Sequence, residues 1–140
     1  MQLRKYKRNA ELRMENEEIR QRQRRDIQER TFEFARRIVR LYQHLEKTGA
    51  TGRTLGRQVL RSGTSIGANL EEAEAGQSRA DFIAKSSVAL KEARETHYWL
   101  RLLVTCELVS SEQISALVTE ANELVAILTT IVKKARSRKN

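Results

Sequence analysis

The sequence contains no proline, and its six glycines all fall between positions 49 and 76. Outside that stretch nothing strongly breaks a helix, so long helices are permitted over most of the 140 residues. Cysteine occurs once, at Cys106, which excludes an intrachain disulfide framework and any multi-cysteine zinc site. Aromatic residues make up only 5% of the chain, and no uninterrupted apolar run approaches the roughly 20 residues that span a bilayer. The first twenty residues lack a hydrophobic signal core and carry glutamates, which argues against a transit peptide. A cytoplasmic protein with no membrane partner is therefore expected.

Charge, by contrast, is abundant and unevenly placed. Lysine and arginine number 27 against 18 acidic residues, a net of +9. Residues 1–30 carry ten basic and six acidic side chains, and residues 133–140 carry five basic and none acidic. Residues 31–132 hold twelve of each, so the whole excess lies on the two ends of a neutral body. That division predicts a charged N-terminal extension over 1–30, helical or partly disordered and prolonging the first helix, a packed four-helix module over 31–135 and a basic tail over 136–140. The natural counterparts of such ends are nucleic acid phosphates or acidic surfaces; the bland alternative is that they keep the protein soluble.

Apolar spacing divides the module into helices. Thr31, Phe34, Ile38, Leu41 and Leu45 recur at steps of three and four, with Phe32, Ala35, Val39 and Tyr42 widening the face of a helix from about Gln28 to Lys47. Gly49 suits a left-handed cap at its end. Leu55, Val59, Ser62, Ile66, Leu70 and Ala73 define a second helix from about Gly52 to Ala75. Ser78 with Asp81, and Ser110 with Gln113, have the spacing of capping boxes and open the third and fourth helices. The third seam is Phe82, Ser86, Ala89, Ala93, Thr96, Leu100 and Leu103; the fourth is Ile114, Leu117, Ala121, Leu124, Leu128, Ile131 and Ala135. Four amphipathic helices with short connections predict an all-α, antiparallel up-and-down four-helix bundle.

Two details exceed a generic bundle. Gly56, Gly63 and Gly67 on the second helix and the small seam of the third would let those two backbones approach closely. Val88, Tyr98, Trp99 and Leu102 gather on the back of the third helix, away from its seam, which predicts an oligomer interface. The alternative is that Trp99 packs under a loop or the N-terminal arm.

Catalytic and cofactor motifs fit poorly. Gly49 to Thr54 has the wrong glycine spacing for a P-loop and no preceding strand, and the GXXG of a KH domain needs a sheet. A di-metal bundle needs Glu-x-x-His on two helices; Glu92 and Glu95 lack histidines in register. Neither an enzyme, a cofactor nor a metal is expected. Ser62, Ser65, Asn69, Glu72, Glu92 and Glu95 are read as a structural polar network. Arg53, Arg57 and Arg61 recur at i,i+4, and Arg36, Arg37 and Arg40 form a second group; with Lys133, Lys134, Arg136, Arg138 and Lys139 they are the candidate nucleic-acid contacts. No base-reading motif accompanies them, so binding of RNA or DNA would be driven by charge and shape.

The run Gln58 to Ala73 (QVLRSGTSIGANLEEA), then Ser78, Asp81 and Phe82, then Ala89 to Leu100 (ALKEARETHYWL) resembles a known family. It is the four-helix-bundle family of proteins encoded in intervening sequences of bacterial 23S ribosomal RNA genes. The resemblance spans about Thr31 to Val132 and leaves residues 1–30 outside. It implies an antiparallel four-helix bundle assembled as a homopentamer. A related branch serves as the accessory protein of diversity-generating retroelements, contacting a reverse transcriptase and binding nucleic acid through a basic surface. The resemblance carries over no catalytic or cofactor residue. It implies that Arg61, Ser62, Ser65, Asn69, Glu72, Glu92 and Glu95 make internal or inter-subunit polar contacts.

Overall fold

The structure, a computed structural model, describes residues 1–138. It contains four helices, α1 (Gln2–Leu45), α2 (Ala50–Ala75), α3 (Arg79–Thr105) and α4 (Ser111–Ser137), and no strand among the described residues. The chain divides into two compact units, Met1–Arg30 and Thr31–Asn140. The first is helical from Gln2 onward, so α1 begins far ahead of Gln28, the start that apolar spacing predicts. Apolar spacing does not reach this far because most of its apolar side chains face water: Leu3, Tyr6, Leu12, Met14 and Ile19 are exposed, and only Ile27 is buried. Good helix formers and the absence of breakers suffice to make it helical.

In the second unit the buried face of α1 is Thr31, Phe34, Ile38, Leu41 and Leu45. Phe32 and Val39 do not widen it; they are 70% and 38% exposed. The α2 glycines pack against α1 and not against α3. A Cβ added at Gly63 would lie 2.8 Å from Ile38, and one at Gly67 or Gly56 would press on Thr31 or on Tyr42 and Leu45. The glycines thus serve α1, while α2 and α3 still lie close together, as predicted, through the small residues Ser62 and Thr96. The pairs 67–31, 63–38 and 56–45 run in opposite senses along the chain, which makes α1 and α2 antiparallel.

The same logic holds for the other helix pairs. Ser62 meets Thr96 and Glu72 meets Lys85, so α2 and α3 are antiparallel. Arg79, at the start of α3, donates through Nε to the carbonyl of Ala135 near the end of α4 at 2.9 Å, and a short loop joins the other two ends, so α4 is antiparallel to α3. The contact of Arg79 also satisfies a carbonyl in the last turn of α4, one of those a helix end leaves without an intrahelical donor.

The caps explain the boundaries. Gly49, at φ 111°, is the N-cap of α2 and not the closing residue of α1; its positive φ is one that residues with a Cβ rarely adopt. The Ser78 side chain accepts from the Asp81 amide, and Ser110 with Gln113 forms a reciprocal capping box. α3 ends in a Schellman arrangement, with Leu108 N–H bonded to Leu103 O and Glu107 N–H to Val104 O. The left-handed position of this motif, usually glycine, is Glu107 at φ 59°.

The α4 seam departs once from its predicted register. Val132 is buried in place of Ile131, which is half-buried. A strict three-four alternation has a period of 3.5, whereas a straight helix turns every 3.6 residues, so the buried face must slip forward by one step. By length and composition α4 could cross a membrane. Its Ala121, Leu124 and Leu128 are instead fully enclosed within the protein.

Candidate nucleic-acid interface

The candidate contacts lie in three places. On α1, Arg36 and Arg40 are exposed and Arg37 is half-buried. Arg36 is committed to Glu33, its Nε donating to Oε2 at 2.8 Å. That hydrogen bond holds the Glu33 carboxyl below its ordinary pKa and raises that of Arg36. Cation and carboxylate face water together, so the pair cancels locally much of the charge a phosphate would meet.

On α2, Arg53, Arg57 and Arg61 are all exposed, at i,i+4 spacing. Arg61 differs from the others because it bridges to α3. Its Nη1 lies 3.2 Å from Glu92 Oε2 and its Nη2 lies 2.6 Å from Glu95 Oε2. One guanidinium thus serves two carboxylates. The Arg61 hydrogen bond lowers the pKa of Glu95, whereas burial, followed by the hydrogen bond to Glu95, raises that of Glu92. Among the described residues Arg53 and Arg57 have no such partner, so the stripe offers two cations in place of three.

At the end of α4, Lys133, Lys134, Arg136 and Arg138 are exposed, with Arg136 Nη2 3.3 Å from Ser87 Oγ. Lys139 lies outside the described residues. The helix continues to Ser137, so Lys133, Lys134 and Arg136 ride on the helix itself, and Arg138 is its C-cap.

The six residues read as a polar network divide by partner. Ser62 is fully buried and accepts from the Thr96 hydroxyl at 2.8 Å, joining α2 to α3 in the core. Glu92 and Glu95 meet Arg61 on the surface above it, and Glu72 meets Lys85 at 2.6 Å in the open. Ser65 and Asn69 bond their own helix, to the carbonyls of Arg61 and Ser65. Thr96 and Lys85 are partners the sequence reading left out of this set. The complementary signal was i,i+4 polarity on two facing helices, but pairing requires the register between helices.

The face on the back of α3 is partly open. Val88 and Tyr98 are 41% and 50% exposed, and Trp99 and Leu102 are half-buried. The Tyr98 and Trp99 rings meet edge to face, with centroids 5.1 Å apart. Among the described residues the enclosed Trp99 Nε1 and Ser86 Oγ find no hydrogen-bond partner. No group of three or more His, Cys, Asp or Glu side chains among the described residues could hold a metal ion.

Four antiparallel helices with a sealed core and cations displayed outside define a four-helix bundle. Residues 23–130 match the model of the 23S rRNA-intervening sequence protein family, and the chain belongs to that family. A crystal structure of a protein of unknown function from the S23 ribosomal protein family of Bacteroides thetaiotaomicron VPI-5482 is similar to it. The two are 46% identical with a TM-score of 0.73, over 79% of this chain and 97% of that one. Among curated proteins none matches.

Proposed function

We propose that this chain is a non-enzymatic homo-oligomer, a homopentamer by its resemblance, that binds RNA or DNA through backbone phosphates. The carrying observation is a set of exposed cations displayed on ordered helices: Arg40, Arg53 and Arg57 on α1 and α2, and Lys133, Lys134 and Arg138 at the end of α4. Guanidinium and ammonium groups so held fit phosphate oxygens, and copies of the set in one oligomer would add their contributions. Membership of a family named for ribosomal RNA intervening sequences is compatible with this chemistry.

Deleting residues 133–140 would also remove Ala135, which is buried, so neutralisation is the cleaner test. Changing Lys133, Lys134, Arg136 and Arg138 to Gln should weaken binding to RNA and duplex DNA alike. The slope of log affinity against log salt should flatten by about 0.9 for each lost phosphate contact on a duplex. Equal affinity and slope in this variant would remove α4 from the interface. Failure of the unaltered protein to bind either nucleic acid would end the reading.

A second reading, an accessory subunit docking on another protein such as a reverse transcriptase, is favoured by the apolar groups left open at Phe32, Val39, Val88 and Tyr98. Phosphate binding has no use for such groups. A second copy of this chain is the simpler occupant of the α3 face.

A further inference from the structure

The first ten residues differ in character from everything that follows. They carry Arg4, Lys5, Lys7 and Arg8 and no acidic residue, whereas residues 11–19 carry four glutamates and one arginine. All ten are exposed, with Tyr6 at 70% and Leu3 at 79%. Among the described residues none of these four cations forms an ion pair, in contrast to Arg36 and Arg61. The segment precedes the family match, which begins at residue 23, so membership of the family does not account for it.

Its helical register is informative. Lys5 and Lys7 project about 100° to either side of Tyr6, and Leu3 and Ala10, at i−3 and i+4, share the face of Tyr6. An open aromatic ring is thereby flanked by cations on both sides. Arg4 with Arg8, Arg4 with Lys7, and Lys5 with Arg8 are like-charged neighbours on one helix, and they crowd the end where the macrodipole is already positive. The arrangement works against the helix by itself and is relieved by a bound polyanion.

We propose that residues 3–8 form a contact for single-stranded nucleic acid, with the cations holding phosphates while a base stacks on Tyr6. It rests on the nucleic-acid reading above but adds a mode that backbone contacts on the bundle do not supply. Stacking needs an unpaired base, so the contact selects single strands over duplexes. A membrane surface is the rival partner for a basic helix with apolar groups. Here the apolar strip is short, and Glu11 and Glu15 follow it within two turns.

The test uses the full-length protein, fluorescence anisotropy, a labelled oligouridine of about 12 nucleotides and an RNA duplex of similar length. Tyr6→Ala should weaken oligouridine binding about 5- to 150-fold, leave duplex binding unchanged, and be rescued by Tyr6→Phe. Changing the four cations to Gln should flatten the oligouridine salt slope by up to about 3. Circular dichroism checks that each variant keeps its helix content. Unchanged oligouridine binding in Tyr6→Ala, or equal losses on strand and duplex, overturns the contact while leaving phosphate binding by the bundle intact. Binding to phosphatidylglycerol vesicles without binding to oligouridine overturns it in favour of a membrane surface. If neither nucleic acid binds the unaltered protein, both readings fall together.

Discussion

At the level of single residues, Arg61 is the most consequential side chain on the surface of the bundle. It sits at i,i+4 from Arg57, where sequence places it in a basic stripe, yet it reaches across to Glu92 and Glu95. Side-chain exposures of 49% for Arg61 and 33% for Glu95 put their contact with solvent, where such a pair contributes about 0.2–1 kcal/mol. Because the folded pKa of Glu95 is lowered, its contribution is complete above the ordinary carboxylate range and fades as pH falls through the folded value. Glu92 has the opposite sign: burial raises its pKa, so its charge counts against the fold near neutrality. Urea unfolding should therefore find Glu95→Gln less stable at pH 7 by up to about 1 kcal/mol, with the deficit vanishing in acid. Glu92→Gln should cost less than Glu95→Gln at pH 7. The reverse order would mean that Glu92 is the principal partner of Arg61.

Among the helices, the contact between α1 and α2 depends on residues with no side chain. Gly63 stands where a methyl group would come within 2.8 Å of both γ-carbons of Ile38, a branched, fully buried residue that has no room to turn aside. Gly63→Ala should therefore destabilise the fold by about 1–3 kcal/mol despite the better helix propensity of alanine. A lowered urea midpoint at constant m-value would show it, and the loss should be smaller in an Ile38→Ala background, which removes both γ-carbons. The helices themselves were legible in the sequence because burial repeats every 3.6 residues, and Phe34, Ile66, Leu100 and Leu124 are enclosed as their spacing requires. Which helix receives the glycines was not legible, because periodicity gives the orientation of each face and not the identity of its neighbour. The end of α3 was equally hidden, since Glu107 occupies a position where glycine is the usual signal. The candidate site was legible only as charge. Arg36 has Glu33 three residues before it, a pairing that spacing could have shown, but only the register between helices reveals that Arg61, unlike Arg53 and Arg57, is already paired.

For the whole molecule, the open question is what covers the back of α3. Val88, Tyr98, Trp99 and Leu102 form an apolar face on a helix whose other side is already sealed in the core. If a second copy covers it, Trp99→Ala or Tyr98→Ala should shift the mass measured by light scattering toward the monomer. An unchanged mass would assign that face to another partner. Charge adds to this, since the second unit is close to neutral apart from the end of α4, and assembly would gather several such ends into one structure.

The clamp of Arg79 on the Ala135 carbonyl bears on how tightly those ends could hold a ligand. A helix terminus normally frays, and a frayed basic segment must be ordered before it can grip anything. Here α3 holds the final turn of α4 in place beside Arg136 and Arg138. Much of the conformational entropy that a loose tail would lose on association has already been lost on folding. Cutting that tie would turn a rigid basic helix end into a floppy one.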